Sequence, residues 1–347
     1  MALTFDTLSD LLAHGHDTVI DVRSPSEFAE DHVPGAINLP VLSDAERAEV
    51  GTIYVQESPF RARKIGAALV FANAAAHIAG PLAHHEGGWR PLVYCWRGGQ
   101  RSGSFGWMLK EIGWRAETIQ GGYQSYRRLV HAALYDGTLP HRVVLLDGFT
   151  GTAKTDLLPL VARAGGQVID LEGLANHRGS LLGARPGGQP GQKAFDSALA
   201  GAIAGLDPAR PVLIEAESNK IGERLIPPAL WAAMKDAPRI ELRAPLEARA
   251  AYLADAYDDI LADGDRLWGL LSGLRRLRGG EVLDGWKALI DADDRRALTS
   301  ALMAQHYDPA YAKSRTAIGA ERLAVLDLPD LGPATLAETA ERIVELL

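Results

Sequence analysis

Cys95 is the single cysteine in a chain of 347 residues, and its surroundings restrict the fold more than any bulk property does. The apolar run Leu92-Val93-Tyr94 leads into it, and the loop Trp96-Arg97-Gly98-Gly99-Gln100-Arg101-Ser102 follows. A helical pattern then begins at Phe105-Gly106-Trp107-Met108-Leu109. A strand that passes through a glycine turn into a helix leaves the first helical N–H groups unpaired and aimed into the turn, which makes an anion cradle. That positive field, with Arg97 and Arg101, is expected to favour a thiolate. A lone cysteine is more often a small buried hydrophobe. Two glycines and two arginines directly after it favour the reactive reading.

The same order of features recurs further on. Arg142-Val143-Val144-Leu145-Leu146 reads as a buried strand, Gly148-Phe149-Thr150-Gly151-Thr152-Ala153-Lys154-Thr155 as a phosphate-binding loop, and Asp156-Leu157-Leu158 as a helix start. Gly148 and Gly151 let backbone N–H groups wrap a phosphate, Lys154 adds a point charge, and Thr155 would hold Mg²⁺ or a phosphate oxygen. Ala153 stands where the pattern has glycine, so its methyl is expected to crowd the cradle. Four more apolar runs, at 167–171, 211–215, 239–242 and 323–327, complete five strands separated by helical patterns. Earlier, Val19-Ile20-Asp21-Val22 and a run ending at Leu39 alternate with helices in the same way. The reading is α/β, with one parallel-sheet domain over 1–135, a linker at 136–140, and a P-loop NTPase-like domain with helical additions over 141–347.

Bulk properties narrow the function classes. The formal charge is −8 and neither half of the chain is basic, which argues against indiscriminate nucleic-acid binding. Local basic groups remain as candidate nucleic-acid contacts: Arg61, Arg63 and Lys64, then Arg275, Arg276 and Arg278, with Arg127-Arg128 a further pair. One cysteine excludes an internal disulfide framework and suits a reducing cytosol. The start lacks the basic and apolar regions of a signal peptide, and the alanine-rich stretch 65–83 reads as a helix and its exit, not a membrane span. No His/Asp/Glu spacing reads as a structural metal site. Phe60, Ala67, Val70 and Phe71 recur at helical spacing and predict a packing face. At the C-terminus, Leu336, Ala340, Ile343, Val344 and Leu347 share a helix face, and Thr335 with Glu338 predicts a capping box. Two polar segments end strands of the second half. One carries Glu172, His177 and Arg178, and the other carries Glu215, where P-loop proteins keep an acid, and Glu217.

Asp21-Val22-Arg23 with Glu27-Phe28, then His32-Val33-Pro34-Gly35-Ala36, the Cys95 loop, and Gly121-Gly122-Tyr123 together resemble a rhodanese domain. The five residues between Cys95 and Arg101 are also the spacing of cysteine phosphatases, so a sulfurtransferase or a phosphatase coupled to a P-loop nucleotide-binding domain stays open as the alternative. Across both halves, the segments 46–52, 95–99, 171–180, 215–218 and His306-Tyr307-Asp308-Pro309-Ala310-Tyr311 occur in order, and the whole chain closely resembles the tRNA 2-selenouridine synthase family. The resemblance implies a cytoplasmic transferase that acts on wobble 2-thiouridine of tRNA. It implies selenophosphate as selenium donor and geranyl diphosphate as source of an S-geranyl intermediate, with the selenophosphate-producing enzyme a possible partner and no firm cofactor. Cys95 would then handle selenium, with Arg97, Gly98, Gly99 and Arg101 forming the anion loop. Gly148, Gly151, Lys154 and Thr155 would bind the diphosphate.

Overall fold

The computed structural model describes residues 2–315 and 321–347, and the chain divides into two compact units. The first comprises Met1–Gly137 with Pro190–Gly205, the second Thr138–Gln189 with Leu206–Leu347. No helix among the described residues is long and apolar enough to cross a membrane.

In the first unit, β1 (Ala2–Leu3), β2 (Thr18–Asp21), β3 (Ile37–Asn38), β4 (Pro91–Tyr94) and β5 (Glu117–Ile119) form a parallel sheet in the order β1-β5-β4-β2-β3. β4 is buried along its whole length, as a central strand covered on both faces must be, which explains a continuous apolar run in place of an alternating one. The chain leaves β2 toward β3 and leaves β4 toward β5. Neighbouring strands with departures in opposite directions open a crevice at their carboxyl ends. Asp21 is registered against Tyr94, so that crevice receives Arg23 from one strand and Cys95 from the other.

The second unit repeats the logic. β6 (Val143–Gly148), β7 (Gln167–Ile169), β8 (Val212–Glu215), a small antiparallel hairpin of β9 (Lys220–Ile221) and β10 (Arg224–Leu225), β11 (Arg239–Arg243) and β12 (Arg322–Asp327) follow in sequence. The five-stranded parallel sheet has the order β12-β11-β6-β8-β7. Its five strands are those expected from the apolar runs. Connections from β6 and β8 depart to opposite sides, so the crevice lies where Gly148 ends β6 and Glu215 ends β8.

Three helical features differ from their sequence readings. The long helix Pro59–Ala79 buries Ala62, Gly66, Val70 and Ala74, a row of mostly small residues, while Phe60, Ala67 and Phe71 face solvent. The reason is its neighbour: helix Asp44–Gln56 approaches so closely that a Cβ on Gly66 would lie 3.2 Å from Val50. The final helix, Pro333–Leu346, starts at Gly332 as N-cap with proline in its first turn. Thr335 therefore lies inside the helix and its hydroxyl donates to Asp330 Oδ1 at 2.7 Å, so no capping box forms with Glu338. The third is helix Gln192–Ala204, which follows the P-loop in sequence yet belongs to the first unit. Arg127 donates to Lys193 O, Ser197 Oγ and Asp196 Oδ2 at 3.0, 3.1 and 3.2 Å, and Ser197 donates to the buried Asp31 at 2.9 Å.

The first unit centres on one buried ion pair. Arg23 donates from Nε to both carboxylate oxygens of Asp21 at 3.0 and 2.9 Å and from NH2 at 2.6 Å, then on to Asp31 O at 2.6 Å. Its guanidinium lies 4.0 Å from the ring centre of Tyr123. Neither partner is exposed at all. Removing one side of such a pair strands a buried charge and costs about 3–5 kcal/mol. Asp21→Ala is expected to lower the stability of the first unit by that amount, read from urea unfolding followed by circular dichroism.

Candidate functional site

Two helix starts meet at the Cys95 loop. Helix Gly122–Tyr135 begins behind it, and its N–H groups at Tyr123 and Gln124 donate to Cys95 O (2.8 Å) and Trp96 O (3.1 Å). Such close approach requires glycine: a Cβ on Gly122 would sit 2.1 Å from Cys95 O, and one on Gly98 would sit 2.8 Å from Gly121 N. Both glycines also have positive φ. Helix Gln100–Ile112 starts in front, and among the described residues nothing occupies the N–H groups of Gly98, Gly99, Gln100 and Arg101. This is the open cradle expected for an anion. The Cys95 thiol is buried to 3% exposure, and Ser102 Oγ donates to Sγ at 3.1 Å. That hydroxyl, in the first turn of Gln100–Ile112, is a partner that no sequence motif marks.

The two arginines of the loop diverge. Arg97 is exposed. Arg101 donates to Glu27 Oε2 at 2.8 Å, so it flanks the thiol by way of a carboxylate and does not close over it. Burial alone would raise the Glu27 pKa, but the hydrogen bond and charge of Arg101 outweigh it and hold the carboxyl below its ordinary value.

In the second unit, the P-loop runs from β6 into helix Lys154–Arg163. Lys154 Nζ donates to Gly148 O at 2.9 Å and lies 5.7 Å from the ring centre of Tyr311. Gly148 is obligatory, because a Cβ there would meet Thr152 Oγ1 at 2.6 Å and Leu242 O at 3.0 Å. Ala153 adopts the left-handed conformation, φ 55° and ψ 28°. It is 3% exposed, packs in the core cluster with Val144, Leu146 and Leu157, and also borders the pocket over the loop. The departure from glycine costs backbone strain of about 1 kcal/mol. The outer limb is braced by Arg249, which donates to Thr150 O at 3.1 Å and grips Asp308 with both terminal nitrogens at 3.0 and 2.8 Å. Asp308 and Tyr311 belong to the segment His306–Tyr311, and Tyr311 OH donates to Asp147 Oδ1 at 3.2 Å.

Three acids converge beside this loop. Thr155 Oγ1 donates to Glu172 Oε2 at 2.9 Å, and the Glu172 N–H donates to Glu215 Oε1 at 2.8 Å. Glu215 is fully buried, and burial, followed by repulsion from Asp170, pushes its pKa well above the carboxylate range. Burial also raises Glu172. Glu217 is pushed up to about 8, first by burial and then by the charge of Glu172. Over the P-loop lies a pocket of about 420 Å³ that includes Lys154, Thr155, Glu172, Arg178, Arg185 and Tyr257. A second chamber of about 430 Å³ is lined by Leu145, Trp231, Met234 and Ala310, and the two share Thr150, Gly179, Glu217, Tyr307 and Tyr311. Arg178 is oriented by Asp259 (2.9 Å) and stacks 4.9 Å from Tyr257. His177 holds the turn, where its Nδ1 accepts from Gly179 N at 3.1 Å. Burial and then the charges of Arg185 and Arg178 lower its pKa, so it accepts as a neutral ring. Among the described residues no group of three or more His, Cys, Asp or Glu side chains could hold a metal ion.

The candidate tRNA contacts are dispersed. Arg61, Arg63 and Lys64 lie on helix Pro59–Ala79, where Arg61 pairs with Glu57. The three arginines of the second group follow helix Gly264–Ser272 in a separate short helix, Arg275–Arg278. Arg275 bonds Asp284 at 3.0 Å, Arg276 is exposed, and Arg278 is drawn inward to His306, with Nε to Nδ1 at 3.0 Å and NH2 to the carbonyl at 2.9 Å.

Two family models match the chain. Residues 4–129 match the model of the rhodanese-like domain, and residues 141–270 match the tRNA 2-selenouridine synthase AAA domain. Among similar proteins, the tRNA 2-selenouridine synthase of Chromohalobacter salexigens is 34% identical over 84% of this chain and 86% of its own. That of Bordetella bronchiseptica is 34% identical over 87% and 89%, and that of Hahella chejuensis 35% over 85% and 84%.

Two measurements probe the sites themselves. Ser102 Oγ donates to Sγ, and a hydrogen bond contributes about 0.5–1.5 kcal/mol, so Ser102→Ala is expected to change the rate of Cys95 alkylation by iodoacetamide by a factor of about 2 to 10. An acid whose pKa rises from 4.5 to about 8 on folding binds a proton only in the folded chain between those values. Stability therefore falls as pH rises through that window and levels off above it. Glu217→Gln is expected to flatten this decline, measured as thermal midpoints from pH 5 to 8.5, with the variant gaining on the parent toward the alkaline end.

Proposed function

The chain belongs to the tRNA 2-selenouridine synthase family, enzymes that modify tRNA, and from that premise we propose how its two centres divide the reaction. Thiouridine sulfur first attacks C1 of geranyl diphosphate held at the P-loop. The C–O bond to the diphosphate breaks, diphosphate leaves, N3 of the base gives up its proton, and the thiocarbonyl becomes an S-geranyl group. Alkylation makes sulfur a better leaving group at C2, and a selenium nucleophile then displaces it as geranylthiol. Lys154 and the loop N–H groups bind the diphosphate, because a helix start and a point charge recognise phosphate oxygens without requiring a nucleotide. The observation that carries the prenyl assignment is the chamber beside the P-loop pocket. Its lining mixes the apolar Leu145, Trp231, Met234 and Ala310 with the charged Asp147, Glu217, Lys235 and Arg239, and the apolar part is of the kind a short isoprenoid chain fills.

Electron counting bears on Cys95. Selenium enters selenophosphate and leaves in selenouridine at the same oxidation level. A selenosulfide carrier would need an oxidant to form and a reductant to discharge, and the chain has no second cysteine to resolve it. Attack of the Cys95 thiolate on phosphorus balances without either: an S–P bond forms, the P–Se bond breaks, and selenide departs with the electron pair. Water later hydrolyses the phosphocysteine. The open N–H groups at Gly98 to Arg101 suit the phosphate oxygens during that transfer.

Nucleoside mass spectrometry of 2-thiouridine tRNA incubated with the protein, geranyl diphosphate and selenophosphate tests the scheme. Cys95→Ala is expected to abolish selenouridine while sparing S-geranyl-2-thiouridine, and selenouridine formation by this variant would remove Cys95 from the reaction. Lys154→Ala is expected to raise the geranyl diphosphate concentration needed for half-saturation at least about tenfold, as loss of a charged hydrogen bond does. Unchanged saturation, or tRNA-independent ATP turnover in the parent, would assign the P-loop elsewhere.

A further inference from the structure

The helical hairpin of the first unit borders a groove of about 1550 Å³ that runs to the start of helix Gln100–Ile112, where Gln100, Arg101 and Ser104 close one end. Its wall carries Arg47, Arg63, Lys64 and Arg101, and among the described residues no acid lines it, in a chain of net charge −8. Arg47 and Arg101 share Glu27, at 3.7 and 2.8 Å, whereas Arg63 and Lys64 pair with no carboxylate among the described residues. Apolar side chains stand open among these cations: Val55 is 82% exposed, Phe60 72% and Tyr54 53%. Large apolar residues exposed at that level across the two helices of one hairpin mark a contact surface. The hairpin is also well anchored. Asn73 Nδ2 donates to Val41 O and to Glu46 Oε2, each at 3.1 Å, and His77 Nε2 donates to Pro40 O at 2.9 Å.

A basic groove interleaved with exposed aromatic rings is the form that binds single-stranded nucleic acid, with cations on the phosphates and rings under unstacked bases. We infer that this groove receives the anticodon loop of the tRNA substrate, with Arg63 and Lys64 on phosphates and Phe60 and Tyr54 stacking bases. The groove ends at the residues that follow the Cys95 loop, so an RNA strand lying in it passes directly by the thiol's cradle. The inference rests on tRNA as the substrate but not on the selenium donor or the prenyl step.

Binding isolates it from that chemistry. The full chain is titrated into a fluorescent anticodon stem–loop RNA carrying wobble 2-thiouridine, and anisotropy is followed across a salt series. Arg63→Ala/Lys64→Ala is expected to weaken binding at least about tenfold and to reduce the slope of log affinity on log salt by roughly 0.7 for each phosphate no longer neutralised. Phe60→Ala is expected to weaken binding roughly 5- to 150-fold with the slope unchanged, the effect of removing a stacking ring. Because Phe60 is so exposed, its truncation leaves the fold intact, which thermal unfolding checks. Arg163→Ala/Arg296→Ala, two exposed cations away from the groove lining, is the control and is expected to bind as the parent does. Parental affinity in both groove variants overturns the inference, as does a loss confined to the control. A Phe60→Ala variant with changed sedimentation and unchanged RNA affinity would assign the groove to a second copy of the chain, and the inference would fall. If the groove variants lose RNA while selenophosphate or geranyl diphosphate proves not to be used, the inference stands and only the proposed chemistry fails.

Discussion

The geometry of the thiol depends on hydrogen bonds that point away from it. Tyr123 and Gln124, at the start of one helix, spend their N–H groups on the carbonyls of Cys95 and Trp96. A helix start leaves four such donors unpaired, and here they fix the rear of the loop. With its carbonyls turned back, the loop presents its N–H groups forward, where a second helix start adds more. This orientation is available only if two backbones nearly touch, and Gly98 and Gly122 are the residues that let them. The buried Asp21–Arg23 pair secures the same region from below, because the guanidinium stacks on Tyr123, the residue whose amide holds Cys95.

The P-loop is held by different means. Its single non-glycine left-handed residue, Ala153, trades strain against burial of a methyl group, two terms of about 1 kcal/mol that nearly cancel. Shape is enforced from outside: Arg249, held by Asp308, donates to the Thr150 carbonyl, and Gly151 must lack a side chain because Met303 and the Arg249 backbone occupy the space. Residues far along the sequence therefore set the entrance of this loop. One cradle is shaped locally, the other at long range.

That contrast governs what is legible in the chain alone. Strands with continuous apolar runs, Cys95 and the Gly148–Thr155 loop can be read because burial on both faces and tight turns write themselves into consecutive residues. The partners that arrive by tertiary packing cannot. Arg249 carries no local mark, and Arg101 looks like a phosphate ligand until Glu27 is placed beside it. Periodicity identifies the helix over 59–79 and places Val70 correctly but misassigns Phe60, Ala67 and Phe71, since it weighs side-chain size and the packing of Gly66 against Val50 rewards smallness. In the sequence, Glu172 and Glu217 show only as polarity at strand ends. Their raised pKa values follow from sharing one desolvated corner, which spacing does not encode.

Helix Gln192–Ala204 has a consequence for how such a chain can be rearranged. It returns to the first unit after the P-loop has been made, and it supplies Ser197 and Asp196 to Asp31 and Arg127. The two units are thus sewn together by three crossings of the polypeptide instead of one. A cut near Gly137 would not separate modules; it would leave a first piece with an uncovered face and a second piece with an orphaned helix. Recombination that joins a rhodanese unit to a new partner by simple end-to-end fusion cannot reproduce this arrangement.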